Sequence, residues 1–348
     1  MAGLLQFPVM LAAHADWSVD PRKRWITKAR YVGGIWRIEA PEPVAVSHTL
    51  LARLHTEAAG APVALGVDFP LGLPRAYAAR AGIADFAAWL RRLDPDDPLF
   101  QPCVTLDDAC LARPFYPNSS VTGAGQMARL AAALGLADTA ALRRAADRQT
   151  AHRPAGAAMF WTMGANQCGK AALAAWRDCL IPGFAQRLPV AIWPYDGAFH
   201  ALLAPGRLAL AETYPAEALV QLGLKLNGSK RRQADRAALA APIAGVMARL
   251  HATPTDDLAA MLADGFGATA DGEDRFDCLL GALAVIRVIA GAPDGTPDDP
   301  LIRAVEGWVL GQTDPPLVPP TASTPPPDPP QPRAPRSRRA DPPRAGSG

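Results

Sequence analysis

The sequence predicts an α/β protein: a mixed sheet that opens β-β-β-α-β, flanking helices, and a helical insertion. Three observations carry this. Runs rich in β-branched and aromatic residues recur before residue 68 and after residue 188, while Ala-rich segments of helical period fill the interval. The stretch Val63-Ala-Leu-Gly-Val-Asp-Phe-Pro-Leu-Gly-Leu-Pro74 joins an apolar strand to an abrupt turn. Val63 to Val67 suit a strand buried on both faces, and Asp68 stands at its C-terminal end, where open α/β sheets place ligands. The plainer role for Asp68 is a turn-former that bonds local backbone N–H groups.

In chain order, Val9 to Ala15 reads as a strand ending in Asp16, followed by the polar turn Ser18-Val-Asp-Pro-Arg-Lys23. Arg24 to Tyr31 and Ile35 to Ala40 flank Val32-Gly33-Gly34 and complete an antiparallel meander. Ser47 caps a helix through Leu50, Leu51 and Leu54, and Gly60-Ala-Pro62 leads into the central strand. This order opens the ribonuclease H architecture and is shared by other α+β folds. The insertion runs from about 75 to 188, with helical segments at Asp85 to Leu93, Gln126 to Leu136 and Thr139 to Thr150, placed above the strand ends. Strands return at Leu188 to Trp193 and Arg207 to Glu212. Helical periodicity then covers Leu219 and Leu222, Lys230 to Leu250, Thr255 to Leu262 and Asp274 to Ala290. The last helix packs on the sheet through Phe276, Leu279, Leu280, Leu283, Ile286 and Ile289.

At 348 residues and 49% hydrophobic content the chain can bury a large core, read here as one domain over residues 1–312. No apolar run approaches the roughly 20 residues that span a bilayer, and Met1 to Ala13 lacks a basic leader pattern, so a cytoplasmic protein with no membrane partner is expected. Cys103, Cys110, Cys168, Cys179 and Cys278 are odd in number and form no CxxC pair, which argues against a disulfide framework or a zinc ribbon. The net charge of +2 comes from Asp314 to Gly348, with five Arg and three Asp; the rest holds thirty of each sign. Nucleic-acid affinity of the folded part would therefore need a local basic patch. The segment 313–348, with thirteen prolines and almost no apolar side chains except near its start, is expected to be a disordered Pro/Arg-rich tail.

Acids recur where strands end and where the last helix starts: Asp16, Asp68, Glu212, Asp274 and Asp277. Glu212 repeats the Asp68 pattern, although it also suits the first-turn dipole of the helix that follows. Asp274 and Asp277, three apart, share a helix face; an ordinary acidic first turn has the same spacing. No His/Cys cluster accompanies them, so the donor set suits Mg²⁺ or Mn²⁺ and not zinc. Two such ions about 4 Å apart can activate water and clamp a scissile phosphate, which is phosphodiester hydrolysis chemistry.

The blocks Asp16-Trp-Ser, Gly66-Val-Asp-Phe-Pro-Leu-Gly, Ala211-Glu-Thr-Tyr-Pro-Ala-Glu217 and Asp274-Arg-Phe-Asp-Cys-Leu-Leu-Gly-Ala282 resemble the DUF429 family of predicted nucleases in the ribonuclease H-like superfamily, from about Val9 to Leu310. The resemblance implies metal ligation by Asp16, Asp68 and Asp277, with Asp274 next, and a nucleic-acid or nucleotide substrate. Glu212 belongs to the shared motif with no role fixed. The central acid is Asp68 where resolvase-type relatives tend to carry Glu.

Two basic features compete for phosphate. Gly164-Ala-Asn-Gln-Cys-Gly-Lys-Ala171 matches GxxxxGK, with Ala171 where Mg²⁺ needs Ser or Thr, and offers Lys170. Asn227-Gly-Ser-Lys-Arg-Arg232 presents Lys230, Arg231 and Arg232 either to phosphate or simply to solvent. The leading expectation is a metal-dependent nuclease or phosphodiesterase. The alternatives are a non-catalytic nucleic-acid or nucleotide-binding module, and an actin-like or P-loop nucleotide hydrolase.

Overall fold

Period-two alternation in β1 (Val9–Asp16) sends Leu11, Ala13 and Ala15 into one hydrophobic core, and Met10 and Ala12 into a second core across the sheet. The computed structural model describes residues 9–118, 124–163 and 168–317. After β1 come β2 (Trp25–Val32), β3 (Ile35–Ile38), β4 (Glu42–Pro43), α1 (Leu50–Glu57) and β5 (Val63–Val67). The insertion carries α2 (Arg75–Ala81), α3 (Phe86–Leu90), α4 (Gln126–Ala133), α5 (Cys168–Ala175) and α6 (Ile181–Ala185). Then follow β6 (Val190–Ile192), α7 (Phe199–Leu202), β7 (Leu208–Glu212), α8 (Pro215–Gln221), α9 (Gln233–Ala237), α10 (Ala240–Arg249), β8 (Ala252–Pro254), α11 (Asp256–Ala263) and α12 (Gly272–Ile289).

These elements form the expected α/β architecture, with a mixed eight-stranded sheet in the order β6-β7-β5-β1-β2-β3-β8 and β4 beside β2. The meander β1-β2-β3 is antiparallel, whereas β5, β7 and β6 run parallel to β1. The short β8 extends the far edge parallel to β3, a strand that three residues could not announce in the sequence.

Helix α12 can lie close to the sheet because two glycines remove side chains at the contact. A Cβ on Gly281 would stand 2.2 Å from the His14 ring, and one on Gly66 2.7 Å from Val285 Cγ2. This places the first turns of α12 over the C-terminal ends of β1 and β5.

Two expected helices are corrected. Thr139 to Thr150 is not one helix but two short 3₁₀ turns, Ala140–Leu142 and Ala145–Asp147, with Arg144 extended between them. Arg144 is 1% exposed, and burying its guanidinium against acids outweighs the helix propensity of the alanines. Lys230 to Leu250 breaks into α9 and α10 because Pro242 has no N–H to give the carbonyl of Ala238.

The compact unit continues past residue 312. His152 Nδ1 lies 2.6 Å from Asp314 Oδ2, and the Leu317 N–H donates to the Gln149 carbonyl at 2.8 Å. Met1 to Pro8, residues 164–167 of the glycine-rich motif and the chain beyond Leu317 lie outside the described residues. Among the described residues no helix is long and apolar enough to cross a membrane.

Candidate active site

Sheet register brings the first two acids together. Ala15 of β1 pairs with Val67 of β5, so Asp16 and Asp68 follow side by side at the strand ends, on the face covered by α12. Their carboxyl groups share a hydrogen bond. Asp68 Oδ1 also accepts the Trp17 N–H at 2.7 Å, so it ties two strand ends together and does not cap its own turn. That turn is held from elsewhere: Trp176 Nε1 donates to the Pro70 carbonyl at 3.0 Å, and Tyr195 Oη to that of Leu71 at 2.8 Å.

Helix α12 contributes Asp277 and Asp274 to the same cluster. Asp277 is 8% exposed; Lys230 Nζ donates to its Oδ2, while its Oδ1 is buried with no partner. Burial first, then the charges of Asp68, Asp277 and Asp274, raises the Asp16 carboxyl well above the usual range. Burial pushes Asp68 up to about 7, and burial with the Asp277 charge pushes Asp274 up to about 6. Asp277 is raised by burial against the opposing pull of Lys230. His14, two residues before Asp16 on the same face, is fully buried, with both ring nitrogens unpaired. Burial lowers it to about 3, so it stays neutral and gives the acids no counter-charge.

Glu212 ends β7 but does not join this cluster. It pairs with Val67, one residue before Asp68, and its side chain therefore leaves the opposite face of the sheet. There Arg144 holds it bidentately, Nη1 on Oε2 at 2.6 Å and Nη2 on Oε1 at 2.7 Å, while the Leu71 N–H donates to Oε2 at 2.8 Å. Arg144 also pairs with Asp147 at 2.7 Å. Glu212 is thus a buried anchor between the sheet and the insertion.

Both groups line one cavity of about 530 Å³ at the strand ends. Its wall carries the carboxylates Asp16, Asp68, Asp147, Glu212, Glu273, Asp274 and Asp277 against the cations Lys23, Arg144, Arg153 and Lys230, a formal balance of seven to four. Lys23, exposed at the rim, follows the turn after Asp16, and that proximity in sequence was the available signal. Arg144 and Arg153 had none, because an Arg in an Ala-rich segment reads as a solvated helix face. Arg153 is 4% exposed, pairs with Glu217 at 3.3 Å and lies 5.0 Å from the Tyr214 ring centre.

The remaining basic residues stand outside the cavity lining. Arg231 is 3.8 Å from Glu273, and Arg232 is 2.6 Å from Asp235, both with largely exposed side chains. Lys170 sits half-buried on α5 between Cys168 and Ala171, which do line it. Gly169 packs against the Met159 carbonyl, 2.3 Å from where a Cβ would stand, and the described residues just before the motif form no sheet strand. Neither feature is that of a phosphate-cradling loop, which follows a strand directly.

The donor set is all oxygen, and the unpaired Asp277 Oδ1 is a buried acceptor on a residue that lines the shared cavity, so a hard cation fits its chemistry. Among the described residues, however, no group of three His, Cys, Asp or Glu side chains is spaced to hold a metal as it stands. The cation on Asp277 is Lys230.

A carboxyl raised by folding binds its proton more tightly in the folded state. Its stabilisation is full below the unfolded value near 4 and is lost as pH rises through the folded value. With Asp274 at about 6, Asp68 at about 7, and Asp16 and Asp277 raised as well, metal-free protein should lose stability from pH 5 to pH 8. A fall in Tm on the order of 5 °C is expected by calorimetry in EDTA, and millimolar Mn²⁺ should remove most of it. A flat Tm across this range would mean that folding does not raise these four carboxyls. Compared with known proteins, the chain matches no family model, no curated protein and no solved structure.

Proposed function

We propose that the protein is a metal-dependent phosphodiester hydrolase, a nuclease or phosphodiesterase acting on nucleic acid or a nucleotide. The observation that carries this reading is the meeting of Asp16, Asp68, Asp274 and Asp277, from two strand ends and one helix, with Asp277 Oδ1 left unpaired. A ribonuclease H-like core is part of the proposal. It is supported by the run β3-β2-β1-β5-β7, in which β1, β2 and β3 are antiparallel neighbours and β5 and β7 run parallel to β1, and by acids at the ends of β1 and β5. The blocks that resemble the DUF429 nucleases lie around the same cavity, which supports the same reading.

Asp16, Asp68 and Asp277 would hold Mg²⁺ or Mn²⁺, with Asp274 positioned one turn away. Bound there, the ion would supply Lewis-acid polarisation of a phosphate and a water of lowered pKa. The chain's own residues do the rest. The acid-rich wall repels a phosphate until cations are added, which makes binding metal-dependent. Lys23 and Lys230 line the same cavity, act on Asp274 and Asp277 respectively, and would meet the phosphate oxygens. Glu212 and Arg144 fix the wall formed by the insertion.

A second reading, a non-catalytic nucleotide or nucleic-acid binder, draws on one observation: the hydrogen bond between Asp16 and Asp68 and the Lys230 pair on Asp277 leave the acids partly neutralised without any metal. The test is a panel of single-stranded, duplex and branched DNA and RNA, with nucleotides, assayed in Mg²⁺, Mn²⁺ and EDTA. Cleavage of at least one substrate with metal, and of none in EDTA, is expected. Silence across the panel by protein that binds Mn²⁺ in calorimetry would favour the binding module.

A further inference from the structure

We propose that Lys230 is a built-in counter-ion: it holds the cation position on Asp277 in the ion-free protein and moves off when a divalent ion binds. Its ammonium is then free to meet the substrate phosphate. This rests on the metal-site reading above.

The loop that carries Lys230 is fixed at its backbone. Arg236 is 1% exposed and donates to the carbonyl of Lys230, to that of Gly265 at 2.8 Å and to that of Gly267 at 2.6 Å. Asp235 accepts the Ser229 N–H at 2.8 Å. Gly228, at φ +136°, packs so closely that a Cβ would stand 2.2 Å from Asp235 Oδ2. Only the flexible four-carbon side chain of Lys230 is left to move. Its tip rests on Asp277 Oδ2, within the field of Glu273 and Asp16. One ammonium leaves Asp277 Oδ1 without a partner, so the acids remain under-compensated. A divalent ion supplies twice the charge and can take several oxygens at once, whereas an ammonium and a metal ion sharing one carboxylate repel strongly. Arg231 pairs with Glu273 and Arg232 with Asp235, neither of them with Asp277, and both side chains are largely exposed, so they are not affected in this way.

Reductive methylation followed by mass spectrometry tests this on the wild-type chain, whose five lysines are Lys23, Lys28, Lys170, Lys225 and Lys230. Lys230 should react at least about fivefold faster in saturating Mn²⁺ than in EDTA, because the acid that shields it is taken. Lys28, held by Glu39, Glu42 and Glu57, should not change and serves as the control. By calorimetry, Lys230→Met should bind Mn²⁺ at least about tenfold tighter than wild type, and Lys230→Arg should stay within a few-fold of it. Unchanged Lys230 labelling with Mn²⁺ bound, or Lys230→Met binding no tighter than wild type, overturns the proposal and leaves the metal site standing. Mn²⁺ binding by neither protein at millimolar concentration overturns both. Binding by Lys230→Met alone would mean that the lysine blocks the site and does not yield to the ion, which overturns the exchange and leaves the metal site standing.

Discussion

Asp277→Asn is expected to lower metal-dependent hydrolysis by about three orders of magnitude or more, about 4 kcal/mol of transition-state stabilisation, while the protein stays folded. Asp277 lines the cavity and carries a buried oxygen with no partner, so its loss removes a ligand that no neighbour replaces. The fold should survive because Asn has nearly the same shape and α12 is held by Phe276, Leu280 and Leu283, each fully buried. Losing the Lys230 pair is offset by relief of repulsion with Asp16, Asp68 and Asp274, which leaves Tm within a few degrees of wild type. Initial rates on the best substrate of the panel, with circular-dichroism melting of both proteins, decide the matter. Undiminished cleavage by folded Asp277→Asn would remove this residue from the chemistry.

Arg144→Met should be the most destabilising of the site substitutions, at about 3–5 kcal/mol, because it strands the Glu212 carboxylate inside the protein. Burial already raises Glu212, and the Arg144 charge is the main influence holding it down. Without the arginine the carboxyl would take a proton, so the loss should be smaller at pH 5 than at pH 8. Adding Glu212→Leu should recover most of the stability, since an apolar pair avoids the desolvation that the ion pair incurs. Urea unfolding of the single and double variants at both pH values measures this. A loss under about 1 kcal/mol for Arg144→Met would mean the pair carries little of the link between sheet and insertion.

The sequence by itself determined the class of the fold. Periodicity separates β1, β2, β3, β5, β6 and β7 from the helices, and the turn signals after Asp16 and Asp68 mark where strands end, because these are local properties of consecutive residues. It also supplied the acids of the cluster, since a carboxylate at the end of an apolar strand is visible without coordinates. Asp274 and Asp277 belong together for a local reason too, as residues three apart share one helix face. Register and burial were decided only by the tertiary structure. Asp68 and Glu212 have the same local pattern, yet Glu212 pairs with Val67 and Asp68 stands one residue further on, and in a strand one residue is the difference between the two faces. That offset gives Asp68 to Asp16 and α12, and Glu212 to Arg144. The same non-local cause turned Thr139 to Thr150 away from the helix its alanines favour, and it divided Lys230 from Arg231 and Arg232. Three neighbouring cations look alike in sequence, but only the one whose loop is pinned by Arg236 over α12 reaches Asp277.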